Sequence, residues 1–476
     1  MKEPAYIGLA GKMAKMIEKG VFKPEDKLPS LRSLHKENGL SIGTILQAFN
    51  YLIDKGLITA REKSGYFVNH RSGDKLPVPL PLPVLLSERT VHIDQLLQKL
   101  HRESSSKKFV SFANALPDQR LLPFNSIKRA IQNTSRDTSG SYLELEDRKG
   151  NRQLREEIAK RSFLWKGSLH AEELVITNGA KEAIICCLAA VTRAGDTVLV
   201  QEPCYHGIMQ ALECLNLKVA TIPSHPETGI ELNDLKNACR KLTIKACILV
   251  SNFNNPDGAS LDTDKKKQIA AFAEAQKIPV IEDDLYGDIF FSGSRPDTIK
   301  AYDHSGWVLY CSSFTKSLAP GFRIGWCAPG RFAFEVTRVK SMYNGSTSNF
   351  IQRVVWQLLH TGTYDRHLQK FRLELHKNLV RMTRLMEQFF PEGTKISRPK
   401  GGLVIWVELP GVLDTVQLQD ISFGQDIAYA PGEIFSEGGG YSNYLRISYC
   451  NWWSPRTEKA IIKLGQLFRA AYRDSR

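Results

Sequence analysis

Apolar positions change their spacing along this 476-residue chain in a way that divides it into three textures. Over residues 1 to about 72 they fall first at helical intervals and then in short runs. Pro29-Ser30 opens a helix, with Ser30 as its cap and Leu31, Leu34 and His35 following, and Gly39 ends it. Ser41 caps a second helix whose Ile45, Phe49, Leu52 and Ile53 make one apolar stripe, closed by Lys55-Gly56. Leu57 to Ala60 and Tyr66 to Val68 read as strands around Lys63-Ser64-Gly65. Two short helices across a glycine turn, followed by a hairpin, describe a winged helix-turn-helix.

Residues of about 73 to 107 begin with alternating prolines, Pro77, Pro79, Pro81 and Pro83. That pattern favours polyproline II, a semi-rigid spacer outside any core, and Ser87 to Leu100 follows as a short linker helix. From about 108 to 476 the runs lengthen. Leu174 to Thr177, Thr197 to Val200, Ala246 to Val250, Ile278 to Ile281 and Trp307 to Cys311 are continuously apolar and alternate with helical stretches. This is the signature of buried, mostly parallel strands in an α/β sheet, where ligands bind beyond the carboxyl ends of the strands.

Composition narrows the possibilities. A chain of this length accommodates two or three domains. No apolar run approaches the roughly 20 residues of a membrane helix; the longest, Ala183 to Val191, holds two cysteines and reads as a buried helix. With no cleavable export pattern either, the expectation is a cytoplasmic protein without a membrane partner. Nine scattered cysteines, with no CxxC pair and no His/Cys cluster at ligand spacing, argue against a disulfide framework and against a metal site. Net charge is +14, and residues 1 to 75 alone hold 13 Lys and Arg against 8 Asp and Glu. The amino-terminal unit is therefore the more densely positive part, suited to a polyanion such as double-stranded DNA.

The polar residues that follow the strands carry the chemistry. Lys316 lies in Ser312-Ser313-Phe314-Thr315-Lys316 after one strand, Asp283 in Asp283-Asp284-Leu285-Tyr286 after another, and Asn255 in Asn254-Asn255-Pro256-Asp257-Gly258 after a third. Gly179-Ala180-Lys181 opens a helix directly after a strand, so that its amides and dipole can meet a dianion. Arg323 adds a positive fork, and Ser313 a hydroxyl. An amine, a carboxylate for a ring nitrogen, donors for a phenolic oxygen (Asn255 and Tyr286) and an anion cradle are what pyridoxal 5'-phosphate (PLP) requires. Asp284 and Glu282 read as structural neighbours of Asp283. Arg446 alternates with apolar residues on a strand, which points its guanidinium into a cavity where a carboxylate is its natural partner.

These motifs resemble two known families. Leu28-Pro29-Ser30-Leu31-Arg32, Gly39-Leu40-Ser41, Leu52 to Leu57 and Ser64 to Val68 resemble the DNA-binding domain of GntR-type regulators. The resemblance implicates Arg32, Ser41 and Thr44 in DNA contact, with Ser64 and Gly65 at the wing tip; Ile42 stands where many relatives have arginine. The Ser-x-x-Lys, Arg-x-Gly, Asn-Pro-x-Gly and Asp-x-x-Tyr patterns resemble fold type I aminotransferases, over residues of about 110 to 476. That likeness implies a large PLP domain with a smaller α+β domain, Tyr205 stacked on the pyridine face, and Arg446 on a substrate or effector carboxylate. Two departures matter: Tyr142 precedes Gly150 by eight residues, an unusual spacing for the tyrosine that serves the partner subunit's phosphate, and Ala115 replaces a glycine beside the carboxylate. The whole chain resembles MocR-type regulators, which implies a homodimer that senses PLP, or an amino-acid or amine effector, through an aldimine at Lys316. The alternative is a working PLP-dependent aminotransferase with an accessory winged helix.

Overall fold

A computed structural model describes residues 5–23, 25–54, 57–61, 64–68, 76–91 and 108–475. The chain divides into two compact units, an amino-terminal one and a larger one that begins at Leu76.

In the first unit, α1 (Ala5–Glu18) packs on α3 (Ile42–Asp54), with α2 (Leu31–Asn38) beside it. α2 starts where Ser30 Oγ accepts from Ser33 N at 3.1 Å and stops at Gly39, whose φ of +64° is the left-handed turn that lets the chain reverse. Ser41 Oγ accepts from Thr44 N at 3.1 Å and caps α3. The stripe of α3 then meets α1: Leu9, Met13, Ile17, Ile45, Phe49 and Leu52 share one core with Ile58 and Val68. β1 (Ile58–Arg61) and β2 (Gly65–Val68) form the antiparallel wing, joined by a bridge from Lys27 to Phe67. Helix α1 has no counterpart in the expected pattern, and the expected helix end at Lys55-Gly56 and turn residue Lys63 lie outside the described residues.

The large unit is built on a sheet of strand order β3-β7-β6-β9-β10-β11-β12-β5, with β8 (Gly229–Ile230) off β7. The strands are β3 (Arg89–Thr90), β5 (Val175–Thr177), β6 (Thr197–Glu202), β7 (Lys218–His225), β9 (Ile244–Leu249), β10 (Val280–Asp283), β11 (Val308–Ser313) and β12 (Gly325–Ala328). The five from β7 to β11 are parallel, as continuous apolar runs require. β12 is antiparallel to both β11 and β5, so the residues just before it and just after β5 arrive at the same edge as the carboxyl ends of the other strands. β4 (Val110–Ser111) pairs with β15 (Ile427–Ala428). A second sheet, β13 (Lys395–Ile396), β14 (Val404–Glu408), β17 (Tyr444–Ser448) and β16 (Ala430–Pro431), is antiparallel and carries Arg446 opposite Trp406 and Ala430.

The proline segment departs from expectation. Residues 76–91 are not a free spacer: Ile396 N donates to Pro77 O at 2.9 Å, Leu82 and Leu86 pack on core clusters, and Val91 is buried. Nor do residues 87–91 begin a helix, because Arg89 and Thr90 pair with β7. Pro77, Pro79, Pro81 and Pro83 still impose an extended backbone, which lays Leu82 on an apolar cluster while Leu80 faces solvent. Residues 92–100 of the expected linker helix lie outside the described residues.

Candidate cofactor site and nucleic-acid interface

One cavity of about 370 Å³ opens at the carboxyl edge of the large sheet, and its wall includes Lys316, Asp283, Asn255, Arg323, Ser313, Tyr205, Ala180, Lys181 and Arg446. Strand alternation explains Asp283. It shares a face of β10 with Ile281, toward the core, while Glu282 points oppositely and accepts from Ser251, Ile299 N and Lys300 N. Asp284 turns away to Arg295 (2.6 Å), Tyr310 (2.9 Å) and Asn252 (2.8 Å), so both acidic neighbours are structural.

Lys316 follows β11 in a turn held by Phe314 N to Ile324 O at 3.0 Å and by Ser317 Oγ against Tyr364 Oη at 2.6 Å. Its Nζ donates to Ala115 O at 2.7 Å. Burial pushes the amine down to about 8; Arg446 and Arg323 act in the same sense, while Cys450 and Asp283 oppose. Burial likewise raises the Asp283 carboxyl to about 7, helped by the Asp284 charge and opposed by the Leu285 amide and Lys316. The site thus holds an amine poised to lose its proton beside a carboxyl poised to share one.

The anion cradle depends on two glycines. Gly179 has φ +91°, and a Cβ there would come within 2.8 Å of the Arg323 guanidinium, which donates to Asn178 O at 3.0 Å. A Cβ on Gly325 would lie 2.7 Å from Ala180 N. Only paired glycines allow the helix Ala180–Val191 to start this close to β12 and Arg323. Thr315, also in the cavity wall, has a buried Oγ1 with no hydrogen-bond partner. The sequence reading missed it, although its place next to Lys316 was a usable signal. An orphaned hydroxyl, Ser313, the first-turn amides and Arg323 make a donor set that fits a phosphate.

Arg446 is 3% exposed, and its guanidinium donates to Asn255 Oδ1 at 2.9 Å and to Ala113 O. Nε has no partner. Because Oδ1 of Asn255 is occupied, the Nδ2 donors are the part of that amide left for another acceptor. Tyr286 is buried, not in the cavity wall, and Arg446, Tyr205 and Asp283 are its electrostatic neighbours. Tyr205 lies where a side chain on Gly207 would strike its ring. Tyr142 sits in a short helical turn, its ring edge-on to Phe350 at 5.6 Å.

On the amino-terminal unit, Arg32, Ser41, Ser64 and Gly65 are exposed and Thr44 is half-buried, its Oγ1 2.8 Å from Ser41 Oγ. Ile42 and Leu46 on α3 are 46% and 38% exposed, an apolar element of this face. Thymine methyls are the base feature such residues meet.

Comparison with known proteins fixes the family. Residues 111–464 match the model for aminotransferase class I and II, and residues 6–68 that for bacterial regulatory proteins of the gntR family. The chain is 36% identical to the uncharacterized HTH-type transcriptional regulator YdcR of Escherichia coli, over 98% of this chain and 99% of that one. It belongs to the MocR-type transcription regulators. Another relative, the HTH-type transcriptional regulator NorG of Staphylococcus aureus, is 26% identical over 92% of this chain and 98% of its own. The large unit of this regulator matches the kynurenine aminotransferase of Pyrococcus horikoshii, solved with PMP, at 26% identity and TM-score 0.74, covering 80% of this chain and 95% of that one. The chain is thus a transcription regulator with a DNA-binding winged helix and a fold type I domain whose family cofactor is PLP. Among the described residues no helix is long and apolar enough to cross a membrane.

Proposed function

We propose that this regulator binds PLP covalently at Lys316, senses an amino acid or amine there, and converts occupancy into a change of DNA affinity in a cytoplasmic homodimer. The observation that carries the reading is the convergence of Lys316, Asp283, Arg323 and Arg446 on one cavity. Bound there, PLP supplies an aldehyde that captures amines and a ring that withdraws electrons. Lys316 offers the amine, and burial lowers its pKa to about 8, so that it gives up its proton far more readily than a surface lysine. Asp283 would face the ring nitrogen and favour a proton on it. Asn255 Nδ2 would donate to the phenolic oxygen, with Tyr286 as the second donor if its hydroxyl reaches past the wall, and Tyr205 would stack on the ring. Ser313, Thr315, Arg323 and the amides of Gly179, Ala180 and Lys181 would hold the phosphate.

Arg446 takes the effector's carboxylate, supported by its unpartnered Nε. Arg32 reaches the DNA backbone or a guanine edge, while Ser41, Thr44, Ser64 and Gly65 permit close approach. A ligand shifts the dimer only by binding its arrangements unequally. Borohydride reduction followed by peptide mapping tests the attachment: the adduct is expected on Lys316, and one on another lysine contradicts the reading.

A second reading, a turning-over aminotransferase, is favoured by the same lowered Lys316 amine, which suits proton transfer as well as capture. Multiple turnover of an amino-acid panel supports it; a single half-reaction supports the sensor.

A further inference from the structure

The described part of the linker, residues 76–91, lies against a loop that also touches Arg446. Leu82 packs on the cluster that contains Phe435, Tyr441 and Trp406, and a Cβ on Gly440 would be 3.4 Å from Leu82 Cδ1. Arg89 lies so close to Gly438 that a side chain there would overlap its guanidinium; Arg89 also donates to Ser87 Oγ at 3.2 Å and Leu85 O at 3.3 Å. Its Nη1 is buried without a partner. Both linker residues therefore rest on one loop, Phe435 to Gly440.

The same loop also touches Arg446, a residue of the cavity wall, and the segment that leads into Tyr205, another. The Arg446 guanidinium stands 4.9 Å over the Phe435 ring. Phe435 O accepts from Cys204 N at 2.8 Å, immediately before Tyr205. Ser436 Oγ accepts from Gly438 N at 3.0 Å and donates to Glu202, at the start of Glu202-Pro203-Cys204-Tyr205. One short loop thus positions the two residues assigned to the effector carboxylate and to ring stacking, and it is clamped by the linker.

We propose that Phe435 and Ser436 are positioning residues that couple the cavity to the linker, so that a carboxylate on Arg446 loosens the docked segment 76–91. The inference rests on the effector role of Arg446 given above. In the present arrangement Arg446 is held by Asn255 Oδ1 and Ala113 O and lies against Phe435. A carboxylate draws the guanidinium toward itself, Phe435 loses its cation, and the loop loses part of what holds it under Leu82 and Arg89. The consequence for DNA is one of reach. Release of residues 76–91 adds 16 residues of slack to the connection between the two units, at most about 55 Å when fully extended.

Coupling of this kind is reciprocal. The test uses the full-length, PLP-loaded protein and L-alanine as the probe, with binding read from the cofactor absorbance and linker docking from hydrogen exchange. L-Alanine is expected to speed exchange in peptides covering residues 76–91 and at the Ile396 amide, which donates to Pro77 O. Arg89→Ala is expected to speed the same exchange without ligand and to bind L-alanine about fivefold more tightly; Ser436→Ala, which leaves the linker's own residues intact, is expected to do likewise. Binding that is unchanged by Arg446→Ala, or absent in the wild type, overturns the carboxylate assignment and this inference with it. Arg446-dependent binding with unchanged linker exchange, or with unchanged or weaker affinity in both Arg89→Ala and Ser436→Ala, overturns the coupling alone.

Discussion

The two units keep their functional groups in opposite surroundings. On the winged helix, Arg32, Ser41 and Ser64 face solvent, whereas in the large unit Asp283 and Arg446 are 7% and 3% exposed. Water and salt screen the first set, so each contact there contributes modestly and DNA affinity must come from many of them. In the cavity few neighbours compete, each removal leaves a buried partner unmatched, and single residues become decisive.

That contrast is sharpened by substitution. The largest effect expected is from Lys316→Ala, which removes the buried amine that shares the cavity wall with Asp283 and Arg323; no covalent adduct should remain after reduction, as mass spectrometry will read. Arg446→Ala should weaken carboxylate binding roughly a hundredfold, the scale of losing a buried hydrogen-bonded charge, measured by titration of the cofactor absorbance. Capture of PLP should accelerate about tenfold per pH unit and level off near 8, where Lys316 loses its proton, in stopped-flow measurements. Asp283→Asn should move that plateau to lower pH, since the carboxylate favours the charged amine. Arg32→Ala should lower DNA affinity about tenfold and flatten its salt dependence by about one counterion. The smallest effect is from Ser41→Ala, which removes the cap on α3 and should cost about 1 kcal/mol of stability, read by thermal unfolding. A hundredfold loss from Arg32→Ala with a mild effect of Arg446→Ala would reverse the comparison.

Stability of the cofactor-free protein should follow the same buried groups. The folded chain holds the Asp283 proton more tightly than the unfolded one, so this group's contribution falls as pH rises from the usual carboxylate range to about 7. Lys316, with its proton held more weakly when folded, makes stability recover from about 8 upward.

The sheet core was legible because buried strands are continuously apolar, and Val175–Thr177, Thr197–Glu202 and Val308–Ser313 each overlap a run visible in the sequence. The cavity was legible because its groups follow strands whose carboxyl ends share an edge. What pattern could not give is contact at long range. That Ala115 O is the partner of Lys316, that Asn255 Oδ1 meets Arg446 from 191 residues away, and that the proline segment lies on the large unit all depend on packing. Helix α1 escaped because Gly8 and Gly11 weaken a helical reading that its contact with α3 restores. Thr315 escaped because an orphaned hydroxyl exists only once its surroundings do.

The most direct test measures the affinity of the full-length protein for its DNA site with and without PLP, in the wild type and in Lys316→Ala. The account predicts that PLP changes the wild-type affinity and leaves the variant's unaltered. An equal response in both proteins, or none in the wild type, would contradict it.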